Sequence, residues 1–244
     1  AAFSGRNALK FLKEVKGEEN FIPEISFGNG LFNYYAIWVA EEYPLLKPII
    51  RLFPKGDKKL GISQLDNAAK NSFYTRTEAQ FFLMKILSQE NNISRSFQLS
   101  NYLSDLFPNN SIFHGVNNSL LYRSGRFNEC EKESLIIIEN FKNNKYGYKH
   151  NLVRQAAFFL GEIYSSKSEI ELSKKYYNES IEIAKIIDAE KMGYTLHSYF
   201  SLGKYAFNEN DYFSAKKYFN KVIKLTKRSE KINIDSRMFI KKMR

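Results

Sequence analysis

A chain of 244 residues that is 43% hydrophobic and 16% aromatic can bury a sizeable core, and five prolines and twelve glycines are too few for a sandwich of many short strands. Its single cysteine, Cys130, excludes an internal disulfide and a cysteine-based zinc site. The net charge of +11 is concentrated at one end: residues 201–244 carry 12 Lys/Arg against 4 Asp/Glu, and residues 1–200 carry 25 against 22.

In chain order, the sequence opens Ala1-Ala2-Phe3 with no methionine, so a processed or truncated start is expected. Residues 3–16 have the apolar spacing of an amphipathic helix, with Phe3, Leu9, Leu12 and Val15 on it and Gly17 as its stop. Gly28-Asn29-Gly30 then opens a second, very aromatic helix. It lacks the third glycine and the preceding strand of a phosphate-binding loop, so no nucleotide site is expected. Trp38 stands among Tyr34, Tyr35 and Ile37, where core packing accounts for it better than an exposed binding patch. Pro44 and Pro48 forbid a straight helix through residues 42–53 and predict a kinked or re-entrant hairpin. The most apolar stretch, Leu31 to Ala40, is well short of the roughly 20 residues of a membrane span.

From residue 56 onward a repeat emerges. Small residues recur as Gly61, Ser96, Cys130, Ser173 and Ala215, at intervals of 35, 34, 43 and 42 residues. Twelve residues before the last four stand Met84, Asn118, Gly161 and Gly203. Seven after all five come Ala68, Leu103, Ile137, Ser180 and Val222. Turn signals precede each anchor: Gly56-Asp57, Glu90 to Asn92, Ser124-Gly125, Ser165 to Ser168, and Asn208 to Asp211. Thr75 with Glu78, and Ser168 with Glu171, have capping-box spacing. The two longer intervals predict lengthened third and fourth hairpins, with a loop around Asn143 to Asn151.

The last unit carries the clearest resemblance. Tyr199, Leu202-Gly203, a turn at Asn210-Asp211, then Ala215 with Phe219 four residues on, resembles the tetratricopeptide repeat, in which small residues let two antiparallel helices approach closely. The tracts Phe27 to Tyr35, Phe53 to Gly61 and Tyr74 to Ala79 narrow this further. They are similar to those of bacterial tetratricopeptide proteins that are common in Bacteroidetes and usually exported, and similar tracts occur in a mitochondrial outer-membrane-associated family. That resemblance implies missing N-terminal repeats and a signal peptide, and a periplasmic or envelope-associated location, with the cytoplasm as the alternative. It supplies no catalytic residues.

The expected fold is therefore all-α: a right-handed solenoid of antiparallel helix hairpins with about 11–13 helices, forming a single domain over residues 1–244. Residues 1–55 are its irregular N-terminal helices, residues 56–226 the repeats, and residues 227–244 a C-terminal capping helix. His114, His150 and His197 form no ligand spacing, the carboxylates interleave with lysines as on solvated faces, and Cys130 occupies a packing position. No enzyme, metal or cofactor is expected. The expected partner is a protein, as a peptide, a helix or a larger complex. It would lie on first helices lined by Phe81, Phe158 and Phe200 with Lys85, Glu162 and Lys204 beside them, although a Phe row at this spacing also suits inter-repeat packing. The alternative is electrostatic docking to nucleic acid or anionic membrane through Lys217, Lys221, Lys224, Arg228, Lys241 and Lys242. That basic surface leaves peripheral contact with anionic membrane open. Nucleic acid is the disfavoured partner.

Overall fold

Residues 22–243 of the computed structural model are described, so the helix expected over residues 3–16 lies outside the described residues. Those described form twelve α-helices and one 3-10 turn, without a strand among them. They gather into two compact units, one ending at Pro108 and the other starting at Asn109.

In the first unit, α1 (Pro23–Glu42) packs on α3 (Lys58–Asn71), α3 on α4 (Arg76–Gln89), and α4 on α5 (Ile93–Leu106). Between α1 and α3, the two prolines confine the chain to a 3-10 turn (Pro44–Leu46) and the one-turn α2 (Lys47–Ile50), in keeping with the expected break. The Gly28-Asn29-Gly30 tract lies within α1. A Cβ on Gly30 would stand 2.7 Å from the Leu65 side chain and 2.9 Å from the Gly61 carbonyl oxygen, so the two glycines let α1 and α3 cross backbone to backbone. Tyr34 is fully buried beside them and donates its hydroxyl to Glu90 at 2.8 Å. Trp38 packs edge-on to Tyr35 and Tyr43 and against the core built around Leu65 and Leu83, as the core reading expected.

The second unit runs α6 (Ser111–Arg123), α7 (Phe127–Lys142), α8 (His150–Ser166), α9 (Ile170–Ile186), α10 (Gly193–Asn208), α11 (Tyr212–Leu225) and α12 (Lys231–Lys242), each helix packed on the next. In the third and fourth hairpins α7, α8 and α9 have 16, 17 and 17 residues against 14 in α4, α5 and α11. However, α6 of the third has 13 and α10 of the fifth has 16, so the expected lengthening is not confined to those two hairpins and omits α6. Residues 143–149 form the expected connection, with Gly147 at φ +87°.

Every anchor is a close contact between the two helices of its hairpin. Ser96 donates its hydroxyl to the Met84 carbonyl at 2.7 Å and Ser173 to the Gly161 carbonyl at 2.8 Å, while the Cys130 Sγ lies 3.7 Å from the Asn118 carbonyl. In each case the acceptor is twelve residues earlier on the first helix. The residue four after the anchor is matched in size to its partner. Tyr177 and Phe219 fill the space that Gly161 and Gly203 leave, whereas Ser100 and Ser134 follow the anchors facing the larger Met84 and Asn118. Asn118 also donates its amide to the Ser134 hydroxyl at 2.9 Å. All five residues seven past the anchors are fully buried.

The turns inside these four hairpins share one device, a left-handed residue five positions before the anchor: Asn91, Gly125, Ser168 and Asn210, with φ between 59° and 75°. It lets the following N–H reach back to the last turn of the first helix, as in Asn92 to the Leu87 carbonyl and Asp211 to the Ala206 carbonyl. This corrects the expected capping boxes. Ser168 occupies the left-handed position rather than the N-cap, and Thr75, though at the N-cap, makes no side-chain capping bond. Asp57, Asn92, Asn110 and Asp211 cap instead, each accepting from the backbone N–H of the first turn.

Candidate protein-binding face

The first helices of the second unit, α6, α8 and α10, share an aromatic layer in which Phe158 and Phe159 are buried and Tyr122 and Tyr194 half-buried. Tyr122 of α6 stacks on Phe159 of α8 at 4.3 Å, and Tyr194 of α10 stands 5.0 Å from Phe158 and 5.6 Å from Phe159. Polar groups hold its edges. Gln155 donates its amide to the Tyr194 hydroxyl at 2.9 Å, and Glu162 accepts from the Tyr177 hydroxyl and bonds Tyr122. Burial, with the Glu162 charge next, pushes the Tyr122 phenol up to about 12, so it remains a neutral donor throughout the physiological range. His197 and Lys204 lie exposed along α10, and Tyr194 and Glu162 half-buried.

The aromatic row expected to anchor a partner has a different job. Phe158 is only 6% exposed, wedged among Tyr177 of its own hairpin and Tyr194 and His197 of the next. Phe200 is half-buried against Phe219 and under Phe239 of α12. Both are packing residues between successive repeats, because a first helix must cover its own second helix and its neighbour at once. In the first unit, Phe81 is half-buried beside Phe82, with the Lys85 ammonium 5.4 Å above its ring. Lys204 covers Phe200 in the same manner at 5.5 Å. The side chains of this face that remain exposed or half-buried include Tyr194, His197, Glu162 and Lys204. Tyr194 and His197 stand at i and i+3 just ahead of Phe200, a spacing that puts all three on one side of α10.

The basic set is likewise divided. Lys221 pairs with Glu190 at 2.9 Å and lies over the Tyr199 ring, so it belongs to a structural cluster rather than a free stripe. Lys217, Lys224, Arg228, Lys241 and Lys242 are exposed.

His114 and Cys130 are held within the fold. His114 bridges Glu133 at 2.9 Å and the Tyr148 hydroxyl at 2.9 Å. Burial pushes the Cys130 thiol up to about 12. Among the described residues, no three His, Cys, Asp or Glu side chains converge as metal ligands, and no helix is long and apolar enough to cross a membrane.

Antiparallel hairpins repeated with small residues at one fixed contact define a helical-repeat solenoid protein. Residues 155–186 and 196–228, which cover most of α8–α9 and α10–α11, match the tetratricopeptide repeat family model, so these two hairpins are tetratricopeptide repeats. Such repeats indicate a protein-interaction scaffold and are typically non-catalytic. No curated protein matches the chain in sequence. Among solved structures, the MamA RS-1 ArsTM double mutant is 13% identical with a TM-score of 0.54, over 81% of this chain and 93% of that one. BtubC (BKLC) from P. vanneervenii is 13% identical with a TM-score of 0.51, over 91% and 86%. The C-terminal part of a tetratricopeptide repeat-containing protein from Cytophaga hutchinsonii also aligns, at 13% identity and a TM-score of 0.41, over 96% and 94%. At such identity the first two likenesses concern the fold.

Proposed function

We propose that the chain is a non-enzymatic scaffold that holds a segment of another protein against the first helices α6, α8 and α10. The observation that carries this reading is the line of exposed His197 and Lys204 and half-buried Tyr194 and Glu162 above a floor closed by Phe158, Phe159 and Tyr122. A rigid aromatic floor with donors, an acceptor and a cation at its edge suits an extended or helical peptide, since the aromatics lose little entropy on binding and the charges fix register. The test is recovery of partner from the native extract with Tyr194→Ser, Lys204→Gln full chain against wild type. Loss of partner supports the reading, provided that circular dichroism is unchanged. Undiminished recovery contradicts it.

An envelope-associated location accompanies this proposal, supported by the resemblance of the Phe27 to Tyr35 and Phe53 to Gly61 tracts to exported proteins. Fractionation of the host cell tests it: recovery in the cytosol alone would overturn it.

A further inference from the structure

The second unit has a groove of about 430 Å³ between α11, α12 and the turn that joins them. Its lining is of two kinds. Ile223, Ile234 and Met238 supply aliphatic surface, while Arg228, Arg237 and Lys241 supply three cations, and no carboxylate lines it. Residues 234, 237, 238 and 241 of α12 follow the helical spacing that puts them on one face, so apolar and cationic groups alternate along a single wall. The two acidic residues of this region, Glu230 and Asp235, lie outside the lining.

The cations are positioned, not merely present. Asn233 is 1% exposed and donates its amide to the Ile223 carbonyl and to the Thr226 carbonyl and hydroxyl, which ties α12 to the end of α11. Its own carbonyl oxygen accepts from the Arg237 Nε at 2.8 Å. That bond fixes the guanidinium plane and leaves the two terminal nitrogens for another acceptor. Arg228 and Lys241 form no ion pair with a carboxylate among the described residues. Some other lysines of this unit do find acids: Lys167 pairs with Glu131, Lys174 with Glu209, and Lys221 with Glu190.

We infer that this groove binds a short acidic peptide segment of another protein, with carboxylates on Arg228, Arg237 and Lys241 and an aliphatic side chain against Ile223, Ile234 and Met238. The charge is complementary, and an oriented guanidinium suits a planar carboxylate, which it can engage through two parallel bonds. The aliphatic walls favour a peptide over nucleic acid, because single-stranded recognition relies on aromatic stacking platforms that this groove lacks. The methionine thioether adapts to differently shaped apolar side chains. The site stands on the last repeat and its capping helix, apart from the first-helix face, and neither reading depends on the other.

The test uses fluorescence anisotropy on the full chain at physiological salt, with a labelled synthetic peptide carrying one leucine between two short runs of glutamate. Comparison probes are the same peptide with glutamine for glutamate, a glutamate peptide without the leucine, a single-stranded oligonucleotide of equal charge, and vesicles containing phosphatidylserine. The leucine–glutamate peptide should bind best, and Arg228→Gln with Lys241→Gln should weaken it by about tenfold or more, as loss of charge-assisted contacts does. Lys216→Gln with Lys224→Gln, which removes the same charge from α11 outside the groove, should change it less than about threefold, the scale of non-specific screening. Tighter binding of the oligonucleotide or vesicles, equal loss in both double variants, or no peptide binding at millimolar concentration would each overturn the proposal.

Discussion

Gly161 and Tyr177 occupy one space. A Cβ on Gly161 would stand 2.6 Å from two ring carbons of Tyr177, so glycine is the condition on which the tyrosine packs flat against α8. Ordinarily, Gly→Ala within a helix is stabilising by about 0.5–1 kcal/mol. Here Gly161→Ala should instead cost about 1–3 kcal/mol, the range for overpacking. Combined with Tyr177→Leu, the added cost of Gly161→Ala should fall toward zero. Urea unfolding of the four proteins checks this, and additive effects would show that the pair is not coupled.

At the neighbouring anchor, the nature of the small side chain matters less than its size. Ser173 donates to the Gly161 carbonyl and lies 3.0 Å from the Tyr205 hydroxyl, whereas Ala215 does the same packing job with no hydroxyl. Ser173→Ala should therefore cost about 1 kcal/mol, one net hydrogen bond. Ser173→Val should cost more, by about 1–3 kcal/mol of overpacking, because its added methyl meets the α8 backbone. Thermal unfolding of both variants distinguishes them.

These two positions also show what the sequence could and could not reveal. The anchors were legible because packing restricts one position in each hairpin to small residues at a near-constant interval. Of their partners twelve residues earlier, Gly161 and Gly203 were legible for the same reason, and Met84 and Asn118 only by their spacing from the anchors. Gly30 was not recognised as the partner of Gly61, since the proline-broken segment between α1 and α3 stretches that spacing from 12 to 31 residues. The Phe row was visible, but its use was not: helical spacing alone does not distinguish a side chain facing the next repeat from one facing a ligand. Asn233 gave no signal, because its importance lies in bonds to backbone groups of α11 that only the folded chain brings near.

Phe158 should behave as a core residue. Phe158→Ala should cost about 3–5 kcal/mol of stability, the usual penalty for a buried aromatic. His197→Ala, at an exposed position on the same face, should stay within about 0.5 kcal/mol. Parallel denaturation curves check this; equal small effects would mean that Phe158 does not bridge the repeats.

Cys130 should be unreactive in the folded chain. Its thiol is buried and raised to about 12, so iodoacetamide labelling at pH 8 should be slow in buffer and rapid in urea. Because burial favours the neutral thiol, its stabilising contribution is complete below the unfolded value of about 8.5 and lost as pH rises above it. Rapid labelling of the native chain would contradict the buried placement.

Acid should loosen two hydrogen-bonded carboxylates. The His114 hydrogen bond holds Glu133 below the usual carboxylate range, and the Lys221 hydrogen bond does so for Glu190. A depressed folded value gives stability that is present above the unfolded value of about 4.3 and lost as pH falls through the folded one. Glu133→Gln should therefore reduce stability at pH 7 and flatten its decline below pH 5, measured by urea midpoints across that range. An unaltered pH profile would remove His114–Glu133 from the account.

The central claim, that a partner lies on the first-helix face of α8 and α10, is tested most directly by site-specific photo-crosslinking in the native host. Benzoylphenylalanine is placed at Tyr194 or His197 and, in separate proteins, at the exposed Lys175 or Glu182 of the second helix α9. The account predicts one defined crosslinked polypeptide from the first two positions and none from the last two. The same polypeptide crosslinked from Lys175 or Glu182, with none from Tyr194 and His197, would contradict it.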